Sequence, residues 1–219
     1  MSKLVPPHGS ETVRPLLVPE AERAEERKRA EALTRVPLDS RAASDVFMLA
    51  MGAFTPLAGF MGHDDWHGSC LDMKLTDGTF WPIPITLPVD KDLADSIGTD
   101  EHVALTDAET GDILAVMEVS DKYSIDKRIE AEHVYRTADP KHPGVAKVLD
   151  QGDVNLAGRV MVLSEGEYPA KYPDLYIRPA EARAMFSERG WSRVAAFQTR
   201  NPMHRSHEHL AKIALEVSD

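Results

Sequence analysis

The sequence predicts an α+β fold for most of the chain, a small β-rich domain decorated with helices, followed by the opening of an α/β domain. Three observations carry this expectation. Between residues 71 and 119, and again over 154–163, short runs rich in Val, Ile, Leu and Phe sit between Gly, Pro and Asp punctuation, as strands do. Residues 19–33 and 204–217 have instead the composition or the 3.6-residue apolar spacing of helices. Finally, the order helix, strand, helix over residues 179–189, 193–197 and 204–217 is that of an α/β unit.

Taken in order, residues 19–33 alternate Glu with Arg and Lys at spacings of three and four, which predicts a solvent-facing helix that stops before Pro37. Ser40 and Asp45 are candidate caps around a second helix over 42–51, which gives way to the turn-rich residues 52–62. Residues 80–89 read as a strand, but Pro82, Pro84 and Pro88 each lack an N–H, so it must be an edge strand or a bulged one. Residues 102–106 and 113–119, on either side of Thr110-Gly111-Asp112, predict a hairpin. A polar connection over 135–143 leads to a short helix at 144–149 and a strand at 154–163. Residues 164–173, with Gly166, Pro169 and Pro173, form a linker. Beyond it, residues 179–189 predict a helix with Pro in its first turn and Gly190 past its end, residues 193–197 a buried strand, and residues 204–217 a helix whose Leu210, Ile213, Ala214 and Val217 share a face. The domains expected are residues 1–168 and 169–219.

Composition narrows the function classes. The 219 residues are 42% hydrophobic, 28% charged and 6% aromatic, in the range of ordinary folded proteins. No run approaches the roughly 18 apolar residues of a membrane span, and residues 1–7 lack the apolar core of a secretory signal, so a cytoplasmic location is expected. Cys70 is the only cysteine, which excludes an intrachain disulfide and a cysteine-cluster zinc site. A net charge of −11 opposes non-specific binding to nucleic acid or anionic membranes. That charge is uneven: residues 171–219 carry 8 Lys/Arg against 6 Asp/Glu, so the excess of acid lies entirely upstream.

The stretch that carries chemistry is Gln198-Thr199-Arg200-Asn201-Pro202-Met203-His204-Arg205-Ser206-His207-Glu208. With nine histidines in the chain, a His-x-x-His pair is an ordinary coincidence. Its setting gives it weight. The pair follows a predicted strand and a proline-stiffened turn and opens a helix, whose unpaired N–H groups and positive dipole end attract phosphate. Arg200 offers a planar fork of donors suited to a tetrahedral oxyanion, and Gln198 and Asn201 add neutral donors and acceptors. Plain capping or surface roles are the competing readings for these residues. A metal site from His204, His207 and Glu208 is possible by residue type, but the order differs from the His-Glu-x-x-His of zinc proteases, and none is expected. Phe54, Phe60, Trp66 and Trp81 are expected in the core, and Cys70 as an inert thiol.

This motif resembles the signature of the ATP sulfurylase (sulfate adenylyltransferase) family, within the HxxH nucleotidylyltransferase superfamily. Pro7-His8-Gly9, residues 52–61, residues 77–87 and Asp139-Pro140-Lys141-His142-Pro143-Gly144-Val145 resemble further segments of that family in the same order. The resemblance implies a PUA-like domain over 1–168 and the beginning of a Rossmann-like catalytic domain over 169–219, shortened because the family's later Gly-Arg-Asp segment is absent. It implies a reversible reaction of ATP with sulfate to give adenosine 5′-phosphosulfate and pyrophosphate, with Mg²⁺ on the ATP phosphates. Gln198 and Arg200 would hold sulfate; Thr199, Arg200, Asn201, His204 and His207 would be catalytic; and these five, with Gln198, would contact ATP. A homo-oligomer, a dimer or larger, is expected, with no nucleic-acid or membrane partner. The 219 residues alone are expected to be inactive. The alternative is a non-catalytic PUA-like module with an RNA-binding or structural role, against which stand the acidic charge and the lack of a basic stripe with interleaved aromatics.

Overall fold

The computed structural model describes residues 4–219; residues 1–3, part of the expected first domain, lie outside the described residues. Two units result, Pro7–Tyr176 and Ile177–Asp219 with residues 4–6. The larger contains one mixed sheet, built among the described residues from β1 (Thr34–Leu38), β2 (Gly59–Phe60), β3 (Leu87–Val89), β4 (His102–Asp107), β5 (Ile113–Tyr123) and β6 (Val154–Val162). The order is β1-β4-β5-β6-β2, with β3 also on β6. Only β1 and β4 run parallel; the other pairs are antiparallel. The fold is α+β, as expected.

β6 organises this sheet. One of its edges pairs along β5, and the other is covered in turn by β3, by β2 and by a bridge from Leu17 to Val162. Such close cover requires glycine. A Cβ on Gly59 would overlap the carbonyl oxygen of Gly158, and one on Gly158 would overlap that of Glu118, beside a register shift in β5 between Val119 and Asp121. The β4–β5 turn is built as the sequence predicts. Asp107 Oδ1 accepts from the N–H groups of Glu109 and Thr110 at 2.8 and 2.9 Å, and these bonds hold its carboxyl below the usual range. Gly111 takes φ = 77° there.

One face of the sheet packs on α2 (Ser40–Met51), where Val46, Leu49 and Ala50 meet Val36, Leu105, Met117 and Val160. On the other side, Ala30, the one buried residue of α1 (Glu20–Ala30), joins Ala104, Val116 and Leu163. The charged helix thus contributes little apolar area, and Arg27 ties it down by donating to the Ile113 carbonyl at 3.1 Å. A third cluster joins Trp66 and Cys70 of α3 (His63–Asp72) to Tyr123 and Ala157. Phe60 and Trp66 are buried as expected, while Phe54 and Trp81 pack at the core's margin.

Several expectations need correction. The cap of α2 is Asp39, whose Oδ1 accepts from Ala42 N–H at 2.8 Å; Ser40 is already helical and Asp45 lies inside the helix. The helix before Pro37 ends at Ala30, and residues up to Pro37 instead enter edge strand β1, where a missing N–H is tolerated. The expected strand over 80–89 shrinks to β3, because Pro82 and Pro84 cannot donate to a ladder and Trp81 Nε1–H bonds Ile83 O at 2.8 Å. Helices α3, α4 (Lys91–Ser96) and α5 (Lys127–Val134) were not foreseen; α6 (Pro143–Asp150) was, and the linker holds the single turn α7 (Tyr168–Lys171).

One buried and one half-buried acid, Glu130 and Asp45, show what the packing costs. Trp66 Nε1–H donates to Glu130 Oε2 at 2.9 Å, and burial pushes this carboxyl up while Trp66 and the Arg41 charge pull it down. The same burial, with the Glu130 charge, drives the Cys70 thiol up to about 12, which makes it inert. Asp45 is raised from 3.8 to about 6, chiefly by burial, against the pull of Arg41. A carboxyl raised in the folded state binds its proton more tightly there than when unfolded. Its contribution is fully present below about 3.8 and is lost as pH rises through about 6. Asp45→Asn should therefore flatten the stability profile in that window and raise the urea midpoint at pH 7. An unchanged slope in the variant would remove Asp45 from the account.

The smaller unit holds α8 (Pro179–Glu188) and α9 (Arg205–Val217). Pro179 sits at the start of α8 and Gly190, at φ = 70°, follows its end, as expected. The buried strand expected over 193–197 is not there: these residues are exposed and join no ladder, and Arg193 alone among them is tied down, its N–H donating to Asp219 Oδ2 at 2.8 Å and its carbonyl accepting from Asp219 N–H at 2.9 Å. A parallel strand needs neighbours for its N–H and C=O groups, and among the described residues this unit has none.

Candidate functional site

The proline-bearing turn before α9 positions every expected site residue within ten positions. Pro202 cannot extend a helix backwards, so His204 enters extended, at φ = −133° and ψ = 174°, and caps α9 with its backbone. Glu208 N–H, bonded to His204 O at 3.1 Å, makes the first intrahelical bond. The N–H groups of Arg205, Ser206 and His207 therefore have no intrahelical acceptor, and no side chain caps them. They point out of the N-terminus with the positive end of the dipole.

Above this opening the two histidines converge. Their ring centroids lie 3.7 Å apart with an interplanar angle of 31°. His204 Nδ1 is paired with Ser206 Oγ at 2.7 Å. The edge-on contact of Phe197 with the His207 ring, at 5.6 Å, backs that side chain, whose Nδ1 is buried without a partner. A buried ring nitrogen without a partner is costly in a finished site and is relieved by a polar ligand. The turn itself is stiffened locally: Asn201 N–H donates to Thr199 Oγ1 at 3.1 Å and the Thr199 hydroxyl donates to Asn201 O at 3.2 Å.

The structure thus brings together His204 with His207, and Thr199 with Asn201. Gln198 and Arg200 stand exposed on the turn, and among the described residues no hydrogen bond ties them to the rings. Arg200 keeps its full donor fork open. Ser206 and Phe197 were not expected as site residues, although Ser206, two positions past the capping His204, had a readable signal in its place at a helix start. The aromatic backing of Phe197, itself exposed, had none, since it arises only when the chain turns back at Pro202. Chemically, the open N–H groups of α9, the paired imidazoles and the Arg200 guanidinium on the preceding turn are donors of the kind that suit a polyanion such as a phosphate chain. Among the described residues no three His, Cys, Asp or Glu side chains converge as metal ligands, and no helix is long and apolar enough to cross a membrane.

Residues 5–165 match the PUA-like domain family, and residues 173–219 match the ATP-sulfurylase family. A sulfate adenylyltransferase of Syntrophobacter fumaroxidans is 58% identical over 221 residues, covering 100% of this chain and 54% of the relative. One from Chlorobium chlorochromatii is 56% identical over 99% of this chain and 54% of its own length. The chain spans about half the length of the curated relatives it matches. Among solved structures, a hexameric APS kinase from Thiobacillus denitrificans superposes with a TM-score of 0.74 at 34% identity, covering 97% of this chain and 38% of that one.

Proposed function

The chain belongs to the PUA-like domain family and is similar over its length to the N-terminal portion of sulfate adenylyltransferases, and from that premise we propose that the protein joins ATP and sulfate reversibly into adenosine 5′-phosphosulfate and pyrophosphate. The observation that carries this reading is the pair of converging imidazoles, His204 and His207, at the open N-terminus of α9, directly after the turn that displays Arg200.

In the reaction a sulfate oxygen attacks the α-phosphorus of ATP. The new P–O bond forms as the bond to the bridging oxygen breaks, and pyrophosphate leaves with that electron pair. Sulfate is already deprotonated, so the site needs no general base; its work is positioning and charge stabilisation. Gln198 and Arg200 hold the sulfate oxygens. His204 and His207, with the first N–H groups of α9, take the ATP phosphates, and Thr199 and Asn201 shape the turn that presents both substrates. Mg²⁺ would arrive on the ATP phosphates and spread their charge, since the described residues gather no metal ligands of their own.

The same reading divides the chain at residues 168 and 169 into the PUA-like domain and the start of a Rossmann-like catalytic domain. It makes the protein a cytoplasmic homo-oligomer without nucleic-acid or membrane partners. The RNA-binding alternative finds no support in a chain of net charge −11.

The test is sulfate-dependent pyrophosphate release by the protein extended to the length of its relatives. Arg200→Lys should raise the apparent KM for sulfate by roughly ten- to a hundredfold, the loss of one charge-assisted pair of hydrogen bonds, while leaving that for ATP within a few-fold. Equal losses for both substrates would take the sulfate away from Arg200.

A further inference from the structure

A cavity of about 340 Å³ lies within the PUA-like unit, where the start of α2, the strand β3 and the end of α6 meet. Its walls include Arg41, Thr86, Lys147, Asp150 and Gln151, with Asp39 at the α2 cap. The size falls within the usual range for small-molecule sites.

Three features separate it from an ordinary surface dent. First, Thr86 is only 2% exposed and its Oγ1 has no hydrogen-bond partner. Leu87 and Val89 point into the core, so strand alternation turns Thr86 and Pro88 to the opposite face, and both line the cavity. Second, both amide atoms of Gln151 are buried and unpartnered, the oxygen as well as the nitrogen. The adjoining Gly152 lies against the Val89 backbone where no Cβ would fit, which holds Gln151 close to β3. Third, the α2 N-terminus opens here. Asp39 takes the Ala42 N–H, and the Ser40 and Arg41 N–H groups have no acceptor within the helix. Among the described residues neither Arg41 nor Lys147 forms an ion pair within 4.0 Å, although the Arg41 charge also acts at longer range on Asp45 and Glu130.

The unpartnered groups state what the ligand must offer. An inorganic oxyanion could accept from Arg41, Thr86 and the Gln151 nitrogen, but it would leave the Gln151 oxygen unpaired and would face Asp39 and Asp150. A lone cation would fail in the opposite way. We propose that this cavity binds a small zwitterion of the α-amino-acid class. Its carboxylate meets Arg41, Lys147, Thr86 and the α2 N-terminus, and its ammonium group meets the Gln151 oxygen and Asp150. The proposal is independent of the chemistry assigned to α9.

The test is a titration of the ¹⁵N-labelled 219-residue chain with the L-amino acids singly, and with acetate, methylammonium and sulfate at matched ionic strength. At least one amino acid should shift the Gln151 side-chain amide and the Ser40 and Arg41 backbone signals saturably, with one common midpoint. The half-ligands and sulfate should not. Thr86→Val should weaken that midpoint about tenfold, the usual worth of one hydrogen bond. Lys147→Ala, at an exposed position that leaves folding intact, should weaken it several-fold. Absence of a saturable response to every amino acid overturns the proposal, as does an equal response to sulfate or a midpoint indifferent to Lys147→Ala.

Discussion

Replacing His207 by Ala in the protein extended to the length of its relatives should lower kcat for pyrophosphate release by on the order of 10²-fold or more, with KM for ATP and sulfate changed only a few-fold. The reason lies in when the ring is needed. In the proposed reaction negative charge builds on the oxygens between the α-phosphorus and the departing pyrophosphate as the bond breaks, so a donor fixed at that place acts mainly in the transition state. His207 is fixed: Phe197 stacks against its edge and His204 against its face, and its Nδ1 has no protein partner to satisfy it. A loss confined to the apparent affinity for ATP would make His207 a ground-state contact instead. The companion measurement is thermal unfolding, which should be unmoved, because α9 buries no residue fully and His207 lies outside any core cluster.

The largest stability loss is expected at a position with no side chain. Gly158→Val should destabilise the PUA-like unit by more than about 3 kcal/mol, a large share of an ordinary domain's total stability, and lower its Tm by roughly 10 °C. The added Cβ meets the Glu118 carbonyl, part of the β5–β6 ladder, and backbone cannot rotate aside as a side chain can. Either the ladder opens beside the Val119 register shift or β2 loses its place on β6. Gly111→Ala is the control: its positive φ of 77° carries a cost of about 1 kcal/mol, but nothing lies within 4 Å of the new methyl group. Comparable Tm values for the two variants would refute the crowding argument.

Much of this molecule is legible along the chain because the physics there is local. The hairpin around Gly111 is specified by an Asp that binds the two amides beyond it and by a glycine that accepts positive φ. The bounds of α8 follow from Pro179 and Gly190, and the helix start at His204 from the proline two residues before it. The site motif is legible for the same reason: Gln198 to His207 are neighbours in sequence, so the turn and the first helical turn bring them near one another without help from distant residues. What sequence could not yield are the features made by pairing between segments far apart. β1 exists because Val36 and Leu38 find β4 some seventy residues away, and residues 80–85 stay irregular because their prolines offer β6 nothing to hold.

By itself, then, the sequence determined the α+β class and the order of chemistry-bearing residues before α9, both of which depend on composition or on contacts a few positions apart. Only the tertiary structure decided that residues 193–197 form no strand, since a strand is defined by its partner. It alone showed that Gly59 and Gly158 are required where backbones cross. It also showed that Arg41, Thr86, Lys147 and Gln151, spread over more than a hundred residues, share one cavity. The physical reason is the same in each case: hydrogen-bond ladders and close backbone approach are long-range constraints, and a chain read residue by residue does not say which of its segments will meet.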